Sequence, residues 1–118
     1  MTWEIEGTDE FADWYGTLTM AEQRSVIAAV DKLAEIGPAL GRPFVDTIKG
    51  SRHANMKELR PRQGNIRILF AFNPARTAIL LIGGDKTNNW QRWYERMIPV
   101  ADALYDVHLR ELHEEGTT

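Results

Sequence analysis

The sequence predicts an α+β fold: a small twisted antiparallel sheet covered by an N-terminal helical hairpin, with C-terminal helices after it. Three observations lead there. Residues 56–86, MKELRPRQGNIRILFAFNPARTAILLIGGDK, alternate runs of β-forming residues with turn signals. Residues 8–36 carry apolar residues at helical spacing behind two capping signals. Residues 90–112 return to helical spacing, with Pro99 inside the run.

In chain order, Trp3-Glu4-Ile5-Glu6 alternates as a short strand that can join the sheet, and Gly7 ends it. Thr8-Asp9-Glu10 starts a helix with acids in its first turn, where the helix dipole favours them. Its Phe11, Trp14, Tyr15 and Leu18 recur at helical spacing, which points to core packing rather than nucleic-acid stacking, and Gly16 ends or bends it. Thr19-Met20-Ala21-Glu22 has the form of a capping box and opens a second helix. Val26, Ile27, Val30, Leu33 and Ala34 form the apolar stripe of that helix, and Gly37-Pro38 stops it. Residues 37–55, with three glycines and two prolines, read as an ordered surface loop.

The meander follows, with strands expected at 56–60, 66–73 and 78–82, the last stopping before Gly83-Gly84. In the middle strand Ile66, Ile68, Phe70 and Phe72 share one face, and Arg67, Leu69 and Ala71 the other. With Leu59 in the core, Met56, Glu58 and Arg60 take the opposite face of the first strand. A concave face bearing Glu58, Arg60 and Arg67, closed by Lys86, would suit a polyanion. Pro99 predicts two C-terminal helices, one over about 90–98 and one starting near Pro99, with a frayed tail at 116–118.

Length and composition narrow the function. The 118 residues, 43% hydrophobic, fit one domain with a real core. Without cysteine there is no disulfide, thiol catalysis or thiolate metal site. The N-terminus has no basic start followed by an apolar run, and no window is apolar enough to span a membrane, so a cytoplasmic protein is expected. The net charge of −3 hides an asymmetry. Residues 42–96 hold 11 Lys and Arg against 4 Asp and Glu, a balance of +7, while 1–41 hold 2 against 8 and 97–118 hold 1 against 5. The basic middle is the sheet, which suggests a positive surface for a phosphate backbone with acidic helices behind it.

Other chemistries fit poorly. Gly83-Gly84-Asp85-Lys86 has the wrong spacing for a phosphate loop, and His108 and His113 are five apart, poorly placed to share a metal. Asp85 reads as a turn residue or ion-pair partner, and no nucleophilic triad is apparent. A cation-rich site needing no metal or other cofactor is what remains.

The segments KELR, GNIRILFAF, AILLIGGDK and WYERMIPVADALYDVHL, in this order after a strand and a helical hairpin, resemble the RelE/HigB superfamily of bacterial toxins, and most of all its phage-derived HigB-like branch. The resemblance covers about residues 3–112. It implies a RelE-like fold and a ribosome-dependent messenger-RNA endonuclease. Its implied partners are messenger RNA on the ribosome and a HigA-like helix-turn-helix antitoxin encoded beside it. In such chemistry the RNA 2′-hydroxyl attacks the adjacent phosphate, and the protein takes a proton, stabilises charge and protonates the leaving 5′-oxygen.

By resemblance Arg67 is the strand arginine that clamps the scissile phosphate, Lys86 and Arg60 are further phosphate-binding cations, and Tyr94 orients or protonates. The general base stays open. Glu58 stands on the concave face where the family tends to present a lysine, and Lys57 points to the other face unless a bulge rotates it. Either could take the proton, or Glu58 could merely pair with Arg60. Arg62, Arg92 and His53 are the further candidate RNA contacts. A gyrase-inhibiting ParE-like toxin and a non-catalytic RNA-binding adaptor are the competing readings.

Overall fold

A computed structural model describes residues 2–87 and 89–116. Five strands, β1 (Glu4–Gly7), β2 (Val45–Thr47), β3 (Lys57–Leu59), β4 (Ile66–Phe72) and β5 (Thr77–Asp85), form one sheet in the order β1-β5-β4-β3-β2. The helices are α1 (Asp9–Tyr15), α2 (Met20–Ile36) and α3 (Trp90–Gly116). Neighbouring strands from β2 to β5 are antiparallel, whereas β1 joins the edge parallel to β5, so the sheet is mixed rather than wholly antiparallel.

The hairpin forms where the capping signals lie. Thr8 accepts from the Phe11 amide, and Thr19 and Glu22 make the reciprocal capping box. Val26, Ala29 and Leu33 then meet Ile66, Ile68 and Phe70 from β4, so the helical hairpin covers one face of the sheet. Ile27, expected in the stripe, is half exposed and Ala29 takes the buried position.

The second face is also covered. Leu69 and Ala71 of β4 pack with Ile79 and Leu81 of β5 under Trp93, Ile98, Ala101 and Tyr105 of α3. α3 is one continuous helix, not two, with Pro99 in its interior. Both Pro99 and Glu95, whose carbonyl loses its helical donor, are exposed, so water can satisfy the freed carbonyl while Ile98 and Ala101 hold the helix to the sheet. Of the expected frayed tail, Gly116 is the last residue of α3, and residues 117 and 118 lie outside the described residues.

Two further differences shape the site. The loop expected over 37–55 contains β2, three residues that pair with β3 and are too few to show a strand period. The last strand runs through Gly83-Gly84 instead of stopping there. A Cβ on Gly83 would fall inside the ring of Trp14 from α1, and one on Gly84 inside that of Trp93 from α3. At these glycines a tryptophan from each face presses on the strand, and extended backbone without a side chain leaves it room.

Just before these glycines lies a bulge. Leu69 pairs with Ile82 but Phe70 pairs with Leu80, leaving Leu81 as the extra residue of β5. Before it, even-numbered residues of β5 such as Ala78 and Leu80 face the hairpin. After it they face α3, as Trp93 over Gly84 shows. Lys86, whose amide continues the ladder to the Asn65 carbonyl, therefore emerges on the α3 side. Among the described residues, no helix is long and apolar enough to cross a membrane.

Candidate active site

A cleft of about 360 Å³ opens where the end of β2, the strand β3, the residue after β5 and the first turns of α3 meet. Its walls include Lys49, Glu58, Arg60, Lys86, Trp90 and Tyr94. Glu58 forms the floor, 3% exposed. A buried carboxylate requires compensation, and here it is nearly enclosed by donors. Arg60 donates to Oε2 from Nη2 at 2.8 Å and from Nε at 3.2 Å, while the Tyr94 hydroxyl donates to Oε1 at 2.5 Å. The Nε of Arg67 lies 3.8 Å from Oε1.

The arginines are held differently. The same Nη2 of Arg60 also donates to Asp46 at 3.1 Å, and Asp46 pairs with Arg42 at 3.0 Å. The hydrogen bond from Arg42 is the main cause that lowers the Asp46 carboxyl below its usual range. The hydrogen bond to Glu58 raises Arg60. Arg67 lies deeper, beside the floor, with Nη1 donating to the Ile66 carbonyl at 2.7 Å. Among the described residues its Nε is buried without a hydrogen-bond partner, a donor whose desolvation costs about 1–3 kcal/mol until an acceptor arrives.

Lys86 and Tyr94 carry the titratable chemistry. Burial, and then the like charge of Arg67, lowers the Lys86 ammonium from its ordinary value, while Glu58 opposes the shift. Its Nζ lies 5.6 Å from the Tyr94 ring centroid and 6.0 Å from that of Trp90. Burial, then donation to Glu58, raises the Tyr94 phenol well above its usual value, so the hydroxyl keeps its proton throughout the physiological range.

Glu58, Arg60, Lys86 and Tyr94 are thus brought to one cleft, with Arg67 at its base. The remaining sequence candidates lie elsewhere. Lys57 pairs across the sheet with Phe70, on the hairpin side, and no bulge in β3 rotates it toward Glu58. Arg62 stands over the Phe44 ring at 5.9 Å, beside Ser25 and Lys32 of α2. Arg92 lines a different depression with Asp85, Thr87 and Arg96. His53 bonds Asp106 on α3 at 2.8 Å and meets the Tyr105 ring edge-on, an anchor for its loop. Asp85 caps its own turn, accepting from the Thr87 amide at 2.8 Å and from the Thr87 hydroxyl.

Sequence reasoning missed Asp46, Lys49 and Trp90. Asp46 lies within a strand too short to show a period and Lys49 just beyond it, and Trp90 shows in sequence only as the start of a helix. The basic charge of residues 42–96 was the signal that Lys49 belonged with the cleft.

Comparison with known proteins bears on the family and the fold. The family described as phage derived protein Gp49-like matches residues 13–106. HigB3 of Mycobacterium tuberculosis, named as a candidate toxin, is 52% identical over 103 residues, covering 87% of this chain and 90% of that protein. HigB2 of the same organism, named likewise, is 47% identical over 109 residues, covering 90% of this chain but only 54% of that protein. Among solved structures, RelE in the RelE–RelB complex of Pyrococcus horikoshii superposes with a TM-score of 0.58 at 19% identity, covering 75% of this chain and 99% of that one. The isolated RelE toxin of E. coli gives 0.60 at 8% identity, covering 80% and 98%. At such identities the structural likeness concerns the fold.

Proposed function

Because the chain belongs to the Gp49-like family of phage-derived proteins within the RelE/HigB superfamily, we propose that it is the toxin of a type II toxin-antitoxin system and cuts messenger RNA on the ribosome. The observation that carries this reading is the convergence of Arg60, Lys86 and Tyr94 from three separate elements around the buried Glu58, with the unsatisfied Nε of Arg67 beside it. A cleft with more cations than its one carboxylate needs is suited to an anionic substrate, and RNA brings its own nucleophile.

In the proposed reaction the scissile phosphate enters beside Glu58 and takes over part of the hydrogen bonding of Arg60 and Arg67. Lys86 adds positive charge from the end of β5. Together the three stabilise the extra negative charge of the five-coordinate phosphorus without requiring a metal. Glu58 takes the 2′-hydroxyl proton, since Lys57 lies on the opposite face. Tyr94, protonated at the cleft floor, gives its proton to the leaving 5′-oxygen and takes back the one Glu58 has gained, across the hydrogen bond between them, which restores both groups.

The partner proposed is a helix-turn-helix antitoxin of the HigA type. Support for an antitoxin comes from proteins of the same fold, several of which were solved as toxin-antitoxin complexes, among them the RelBE2 complex of M. tuberculosis.

The test is controlled expression of the wild type and Arg67→Ala in bacteria, with messenger-RNA 5′ ends mapped shortly after induction. In-frame cuts and growth arrest from the wild type, both absent from Arg67→Ala, are expected. Arrest without new 5′ ends would overturn the nuclease reading, and arrest with a DNA-damage response would point to gyrase instead.

A further inference from the structure

Trp90 is the largest apolar side chain of the cleft, and it is 61% exposed. Tryptophan in a folded domain is usually well covered. The other three are packed in this chain: Trp14 and Trp93 close on Gly83 and Gly84, and Trp3 closes on Gly37. Trp90 instead stands at the cleft mouth on the first residue of α3, with the Tyr94 ring 6.2 Å away at 75°. On one side it approaches the Lys86 ammonium at 6.0 Å. Lys49 and Arg60 line the same cleft.

An exposed flat ring beside cations is the arrangement that binds single-stranded nucleic acid, because a phosphate on the cation leaves its base one sugar away, within reach of the ring. We propose that the indole of Trp90 is a stacking platform for an unpaired nucleobase next to the phosphate held by Lys86. This inference rests on the RNA-cutting reading and adds a site to it. Every base has a π face, so the platform supplies hold and orientation rather than base identity. The mouth of the cleft thereby selects a strand whose bases are unstacked.

Purified wild type, Trp90→Phe, Trp90→Tyr, Trp90→Leu and Trp90→Ala are to be compared for cleavage of a message on programmed ribosomes, well below saturation. The aromatic variants should cut within about 3-fold of the wild type, and the leucine and alanine variants about 10-fold more slowly, the loss expected for one stacked base. Leucine keeps apolar bulk without a π face, so its loss separates stacking from packing. Unchanged circular dichroism and melting in all four variants would show that the ring acts on RNA and not on the fold. Cleavage by Trp90→Leu at the wild-type rate would overturn the platform while leaving the nuclease reading intact. The same unchanged cleavage with lost antitoxin neutralisation would overturn it too, assigning the ring to a protein partner. A wild type that cuts no message fails the nuclease reading and the platform together.

Discussion

The Tyr94 hydroxyl donates to Oε1 of the buried Glu58 at 2.5 Å and so fastens α3 to β3 across the floor of the cleft. The same carboxylate takes Arg60 on Oε2 and has Arg67 nearby. Glu58 is therefore both the counter-charge of the site and its proposed base.

Glu58→Gln should separate these roles. Removing the charge leaves Arg67 without its buried counter-charge and Arg60 with Asp46 alone, and should cost about 3 kcal/mol in a urea titration. Cleavage should fall by about 10²-fold or more through loss of the base. Lys57→Ala, on the hairpin side, should leave cleavage unchanged. Wild-type cleavage by Glu58→Gln would remove it from the chemistry and leave it a holder of arginines.

Lys86 gives a pH signature. Its lowered pKa means that the folded chain releases this proton before the unfolded chain does. Between those two pKa values the unfolded state binds more protons, so this group's contribution to stability rises with pH while phosphate binding falls as the ammonium is lost. The alkaline fall in cleavage should begin below the ordinary lysine pKa. Lys86→Arg, charged throughout, should move that fall upward, and Lys86→Ala should lose about 10²–10³-fold. An alkaline limb identical in wild type and Lys86→Arg would show that another group sets it.

Gly84→Ala tests the close approach of β5 and α3. The new methyl would overlap the Trp93 ring, and overpacking of this kind costs about 1–3 kcal/mol. Thermal melting should show the loss. A variant as stable as the wild type would mean that Trp93 moves aside at no cost.

Pro99→Ala should stabilise. The residue is exposed in the interior of α3, where proline is about 3 kcal/mol less favourable than alanine. The unfolded chain gains some freedom in exchange, offsetting about 0.4–1 kcal/mol, so a net gain of about 2 kcal/mol is expected in a urea titration. A loss of stability would indicate that the proline fixes a bend on which the α3 packing depends.

Much of this was legible in one dimension because it depends on neighbours in the chain. Thr8 and Thr19 announced both helix starts, since a cap acts within one turn. The parity of Ile66, Ile68 and Phe70 assigned their face, because side chains in a strand alternate. The grouping of Glu58 and Arg60 opposite Leu59 followed from the same rule.

What parity could not supply was everything set by contact across the fold. Val45–Thr47 is a strand only because β3 lies beside it. Gly83 and Gly84 read as a stop signal and are a continuation, because two tryptophans from distant helices need the space. Pro99 read as a break and is tolerated, because Glu95, whose carbonyl it deprives of a donor, is exposed to water and its neighbours Ile98 and Ala101 are held by the sheet. His53, Arg62 and Arg92 share the basic stretch of the sequence with Arg60, yet the chain carries them to three other places.

The sequence alone determined the helix starts, the middle strand and its faces, and the concentration of positive charge in the sheet, all properties of local period and composition. Tertiary structure decided which cations share a cleft. The bulge at Leu81 decides that Lys86 faces α3, and the packing of α3 on β4 and β5 brings Tyr94 to Glu58. Both depend on register and on close packing between residues far apart in the chain, and neither leaves a periodic trace in sequence.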